Sequence, residues 1–167
     1  KVFETGSYST EDIHMTTGAD ALNEATILAK KGRRVQLETV IGQDDAGKFI
    51  QAHCDDAGIM VRDACIKKDE KTGMNIVLVE QDGTRSFLTN PHGTLRSLKV
   101  EHIQMPFPES VKIVCFASIF VFPKIGPDKL VQIFSQAKMQ GKIVCADMTK
   151  RKKGETLEDM AEAFSYI

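Results

Sequence analysis

The sequence predicts an α/β fold built on a mainly parallel sheet with helices on both faces. Three observations carry that reading. Strand-like and helix-like stretches alternate over 18–58 and resume over 111–167. The helical patterns close on glycine, at Gly32, Gly58 and Gly141. Between these blocks, 59–89 reads as a run of extended segments with no helix among them. Repeated strand–helix–strand units favour parallel strands joined by right-handed crossovers.

The first helix runs from about Ala21 to Lys31, with Asp20 able to cap it and Gly32 stopping it. Ala21, Leu22, Ala25, Leu28 and Ala29 give it a close-packing face. Val35 to Ile41 reads as a strand entering Gly42, and a second helix follows from about Ala46 to Ala57, with Asp44 suited to its cap. Ile59–Ile66, Met74–Glu80 and Arg85–Thr89 look extended, and Asp82-Gly83 between the last two is a strong hairpin signal. This meander could project from the α/β body. Val111–Phe116 is a strongly apolar strand, Gly126-Pro127-Asp128 opens a helix to about Gln140, and Ile143–Ala146 is a second core strand ending at Asp147. Leu157–Ile167 closes the chain as a helical pattern.

Composition excludes several functions. The 167 residues carry 22 Lys plus Arg against 23 Asp plus Glu, a formal charge of -1. That balance lacks the basic excess that a nucleic-acid polymer requires. No apolar run reaches the ~18 residues of a membrane span, and the opening residues do not read as a signal peptide. Cys54, Cys65, Cys115 and Cys145 lack the short spacings of zinc sites and read as four buried free thiols of a reducing compartment, the cytoplasm. His14, His53, His92 and His102 form no local ligand pair, although His92 sits in a turn that could approach a ligand. Neither a GxxxxGK[ST] nor a GxGxxG element is present.

In open parallel sheets ligands gather beyond the carboxyl ends of the strands, and three polar clusters have a claim to that edge. The first is Thr17–Asn23, where a turn enters a helix and the Asn23 amide can both donate to and accept from hydroxyls. An ordinary helix cap is the plain alternative. The second is Ile41–Gly47, whose glycine and Asp44 serve a tight strand exit and a cap. The Asp44-Asp45 pair lacks the spacing of a metal loop, so no metal ligand is assigned. The third is Asp147–Lys153, where Arg151 offers a fork for phosphate or carboxylate and Lys152 and Lys153 read as a solvated basic loop. Asp147 could be a counter-charge, a cap or an indirect magnesium ligand.

Taken in this order, Gly18-Ala19-Asp20-Ala21-Leu22-Asn23-Glu24-Ala25, then Gly32 and Gly42, resemble the first signature of the PfkB carbohydrate kinases, the ribokinase-like sugar kinases. Gly42-Gln43-Asp44-Asp45-Ala46-Gly47, Thr72-Gly73, Asp82-Gly83-Thr84-Arg85 and Asp147-Met148-Thr149-Lys150-Arg151 extend the likeness over nearly the whole chain. The chain resembles the amino-terminal half of such an enzyme. The resemblance implies a ribokinase-like three-layer α/β fold, with a mainly parallel central sheet and a projecting β lid, incomplete in this chain. It places the α/β core at 17–58 and 99–167, and the lid with its connections at 1–16 and 59–98.

The resemblance also implies a function: phosphorylation of a sugar hydroxyl by ATP with Mg2+, performed by the complete protein, with a homodimer formed through the lid. Gly18 and Ala19 would let the backbone approach the sugar, Asp20 and Asn23 would bind its hydroxyls, and Arg85 would reach it from the lid. Asp147, Thr149 and Arg151 would lie on the phosphate side. Ala19 stands where the family commonly has a second glycine, and Thr149 where many members have Asn. The general base, carried by a Gly-Ala-Gly-Asp-like segment, is expected outside this chain, so the segment alone is expected to be inactive. A catalytically idle sugar-binding or oligomerisation module is the alternative, and a related nucleoside kinase a third reading. The kinase reading asks that Asn23 face a cleft beneath a sheet flap.

Overall fold

The computed structural model describes residues 9–151, 154 and 156–167. Residues 1–8 of the expected lid connection, and the expected solvated pair Lys152 and Lys153, lie outside the described residues.

Helix α1 (Asp20–Lys30) is followed by the short strands β1 (Val35–Leu37) and β2 (Ile41–Gly42), and helix α2 (Asp45–Ala57) ends on Gly58 in the left-handed conformation. Strands β3 (Ile59–Val61) and β4 (Ile66–Lys67) come next, then the hairpin β5 (Asn75–Val79) and β6 (Arg85–Thr89). Strand β7 (Ile113–Ile119), helix α3 (Pro127–Met139) and strand β8 (Ile143–Met148) complete the second α/β block. A 3-10 turn at Glu158–Met160 leads into the short helix α4 (Ala161–Phe164), so the expected last helix is broken into two turns.

Among the described residues the strands form four pairs rather than one continuous ladder. β1 pairs with β3, β2 with β4 and β7 with β8, all in parallel, while β5 and β6 pair antiparallel. The expected strand over 35–41 is interrupted, and its partner is interrupted opposite it by a 3-10 turn at Asp63–Cys65. At that break Arg62 forks onto Glu38, Nη2 lying 2.5 Å from one carboxylate oxygen, and also donates to the His102 carbonyl at 2.7 Å. A half-buried ion pair thus replaces ladder hydrogen bonds where the backbone turns aside. Ile59–Val61, expected with the projecting sheet, instead pairs with β1, and Ile59 is buried beneath α1 and α2.

Among the described residues, two apolar clusters hold the body together. Leu22, Ala25, Leu37, Cys54 and Ile59 form the smaller. The larger gathers Phe116, Ile119, Leu130, Ile133, Phe134 and Val144 between β7–β8 and α3, with Phe116 edge-on to Phe122 and Phe134. Helix α1 touches both β1–β3 and β7, and so spans the two blocks.

All four cysteines are free, but only Cys54 and Cys65 are buried. Cys115 and Cys145 face each other in register across β7–β8 and are exposed, against the expectation of four buried thiols. The reason is local. The large core lies on the Phe116 and Val144 side of this pair, so alternation turns both cysteines the other way.

Candidate functional site

The parallel strands β7 and β8 end together, and the chain is irregular where they do. Ser118 and Phe120 both take positive φ, at 62° and 78°. Ser118 is nevertheless buried. A buried serine in that conformation needs its polar groups satisfied, and two carboxylates do so. Its hydroxyl donates to Asp20 Oδ2, and its backbone N–H donates to Asp147 Oδ1. Asp20 opens α1 and Asp147 lies at the end of β8, so one serine joins the two edges from which ligands of parallel sheets are approached. Next to it, Thr149 donates its hydroxyl to the Ile119 carbonyl at 3.0 Å.

These contacts settle how α1 begins. Its N-cap is Ala19, with no side-chain cap, and Asp20 is the first helical residue rather than the cap expected of it. The carboxylate is drawn away to Ser118, 98 positions along the chain. Ala19 has φ 75° and ψ 147°, a backbone region that normally belongs to glycine. Glycine, the residue the resemblance leads one to expect here, would adopt that conformation without strain.

Gly18, Ala19 and Asp20 are exposed at the α1 turn, and Asn23 is exposed one helical turn onward. Two clefts of about 420 and 370 Å³ border the ends of β7 and β8, one lined by Phe120, Gly126 and Thr156 and the other by Ile119, Asp147 and Phe164. Asp147 lines the second, whereas Asn23 lies outside both, against the expectation that it faces a cleft. Arg85 opens β6 on the exposed hairpin, and Arg151 is exposed beyond β8. The structure therefore brings Asp20, Asp147 and Thr149 around residues 118–119 and leaves Asn23, Arg85 and Arg151 on open surface. Ser118 is the residue that sequence reasoning missed. Its only signal was a lone hydroxyl within the apolar run Phe116–Phe122.

Cys115 gives its thiol to Glu24 Oε2 at 3.3 Å. Partial burial, and then the Glu24 carboxylate, push that thiol up to about 12. Among the described residues no group of three or more His, Cys, Asp or Glu is disposed to hold a metal ion. No described helix is long and apolar enough to cross a membrane.

Residues 3–167 match the family described as pfkB family carbohydrate kinase. Among solved structures, a fructokinase from Xylella fastidiosa aligns with a TM-score of 0.71 at 24% identity, over 89% of this chain and 50% of that one. A PfkB protein from Polaromonas sp. JS666 aligns with a TM-score of 0.74 at 20% identity, over 92% and 53%. An adenosine kinase from Sinorhizobium meliloti aligns at 0.64 and 20% identity, over 75% and 38%. The chain thus spans about half the length of the fructokinase it matches. Fold and sequence agree: this ribokinase-like α/β chain belongs to the pfkB family of carbohydrate kinases.

Proposed function

We propose that the complete protein transfers the γ-phosphoryl group of ATP to a hydroxyl of a sugar, and that this chain carries mainly the substrate-binding half. The observation that supports this reading most is the convergence of Asp20 and Asp147 on Ser118. It sets a turn suited to hydroxyl binding against a strand end suited to the phosphate side. Gly18 and Ala19 offer exposed backbone, Asp20 and Asn23 offer hydrogen-bonding side chains, and Arg85 belongs to the hairpin that would close over them. A closed lid excludes water, which favours transfer to the sugar over hydrolysis.

The donor chemistry also fits ATP and magnesium. The exposed guanidinium of Arg151 suits a phosphate, and the exposed Asp147 carboxylate suits a magnesium-bound water. When bound, magnesium neutralises phosphate charge during transfer. Thr149, whose hydroxyl is engaged with the Ile119 carbonyl, holds the strand end from which both residues project. No general base is assigned within this chain.

The hairpin supports the homodimer part of the reading. On one face lie Val77, Val79, Arg85 and Phe87, and on the other Ile76, Leu78 and Leu88. Ile76 and Phe87 are 60% and 58% exposed, so each face carries apolar surface that a two-stranded hairpin cannot bury alone. Substrate on the Arg85 face and a second copy of the chain on the other would cover both. Four free cysteines support a reducing, cytoplasmic setting.

The test is ATP consumption by the full-length protein across a panel of sugars and nucleosides, with phosphorylated product detected directly. Phosphorylation of a sugar is expected. A folded, magnesium-binding protein that turns over nothing would favour the idle binding module, and turnover of nucleosides alone would favour the nucleoside kinase.

A further inference from the structure

The hairpin β5–β6 leaves the body through 70–74 and returns through 90–95. Those two roots are tied to each other. Thr94 donates its backbone N–H to the Lys71 carbonyl at 2.9 Å, and Gly73 N–H donates to the Thr94 hydroxyl oxygen at 3.1 Å. Asn90 N–H reaches the Met74 carbonyl at 3.3 Å.

They are also tied to the body through the side chains of Asp44 and Thr72. Asp44 Oδ2 accepts Thr72 N–H at 2.9 Å, while Oδ1 accepts the Thr72 hydroxyl at 2.6 Å and Gly47 N–H at 2.9 Å. The Thr72 hydroxyl oxygen in turn accepts Gly42 N–H at 2.9 Å. Thr72 is 3% exposed, with both its donor and its acceptor capacity used. These donors, the Thr72 hydroxyl first, hold the Asp44 carboxyl below the usual carboxylate range. Backbone approach is equally close: a Cβ on Gly42 would collide with the Glu70 carbonyl, and one on Gly73 with Leu95.

Past the roots this support ends. Every residue of β6 is exposed, as is every residue of β5 except the half-buried Leu78. A segment anchored at its base and unsupported above it behaves as a lever. We propose that Asp44 and Thr72 are positioning residues, forming the clamp that fixes the pivot of this hairpin and so sets where Arg85 stands relative to the Gly18–Asn23 turn. The consequence for turnover rests on the kinase reading; the mechanical consequence does not.

The experiment is amide hydrogen exchange on the full-length protein, read together with kinetics, for the wild type, Thr72→Val and Thr72→Ser. In the wild type, the Gly42 and Thr72 amides should be at least about tenfold better protected than the amides of 76–88, in keeping with local opening of an unsupported segment. Thr72→Val conserves volume and removes the hydroxyl. It should speed exchange over 74–90 at least about tenfold, as expected for a lost hydrogen bond to a charged group. Peptides of β7–β8 and α3 should stay unchanged. Sugar KM should rise by a similar factor and ATP hydrolysis without sugar transfer should increase, with Thr72→Ser restoring both toward wild type.

Root amides that exchange as fast as the tip in the wild type would overturn the clamp without any variant being needed. So would a Thr72→Val protein that loosens uniformly, or one whose hairpin exchange and sugar KM ignore the substitution. If the exchange pattern holds while the wild type phosphorylates no sugar, the kinase reading fails and the clamp stands. Intact turnover with unaltered hairpin exchange in Thr72→Val has the opposite meaning.

Discussion

Ser118 holds Asp20: its buried hydroxyl donates to the carboxylate that opens α1, while its own backbone N–H is taken by Asp147. Three segments distant in sequence therefore share one hydroxyl-bearing residue. Ser118→Ala removes the side-chain bond and leaves the backbone one in place. We expect a loss of about 1.5–3 kcal/mol in urea unfolding of the full-length protein, the usual cost of a hydrogen bond to a charged group. Sugar KM should rise more than ATP KM, because the α1 turn loses its tether. Equal effects on both substrates would remove Asp20 from the sugar side.

Ala19 should be improvable. Its φ of 75° with ψ 147° strains any residue bearing a Cβ, and such positions cost about 1–3 kcal/mol. Glycine gives back part of that through the greater freedom of the unfolded chain. Ala19→Gly should therefore stabilise the protein by about 1 kcal/mol, seen as a higher urea midpoint with an unchanged slope. Destabilisation would mean that the Ala19 methyl makes packing contacts that outweigh the strain.

The order of elements was legible because it rests on short-range chemistry. Asp44 caps α2 through Gly47 N–H, Gly58 stops the helix in the left-handed conformation, and Asp82-Gly83 turns the hairpin. What was hidden depends on partners remote in sequence. Nothing local distinguishes Asp20 as a cap from Asp20 as the acceptor of Ser118, and the apolar run 111–116 did not reveal that its strand extends to Ile119 before turning aside. Likewise the break in the first strand follows from the Arg62–Glu38 pair opposite it, 24 positions away. Cys115 and Cys145 looked buried because apolar neighbours flank them, although alternation along the strand turns them outward.

His102 should give the protein a measurable acid limb. Its ring is buried, and burial first and Lys67 next depress its pKa below the ordinary 6.5. Lys99 acts in the same sense, and Glu101 and Glu70 oppose. Its Nδ1 accepts the Lys99 backbone N–H at 3.1 Å, a role open to the neutral ring. Below about pH 6.5 the unfolded chain takes up this proton more readily than the folded one, so stability falls as pH falls toward the folded pKa and is level above 6.5. For one proton the slope cannot exceed about 1.4 kcal/mol per pH unit. His102→Asn, which keeps an acceptor near Nδ1, should flatten the difference between urea midpoints at pH 7 and pH 5.5. An unchanged difference would assign the limb to other groups.

The two faces of the hairpin should separate substrate binding from self-association. Cross-strand register puts Val77 opposite Phe87 and Val79 opposite Arg85 on one face, and Ile76 opposite Leu88 on the other. A lysine at position 76 would place a charge in any interface built on the second face, while leaving the Arg85 face and the Asp44–Thr72 root untouched. If the full-length protein forms the proposed dimer, Ile76→Lys should shift it to monomer in size-exclusion chromatography with light scattering, with sugar KM changed by less than about threefold. Phe87→Ala should do the reverse, raising sugar KM while the dimer persists, because Phe87 lies beside Arg85 rather than on the Ile76 face. A dimer that survives Ile76→Lys, or one dissolved by Phe87→Ala, would mean that the partner sits on the Arg85 face, and the substrate would then have to be placed elsewhere.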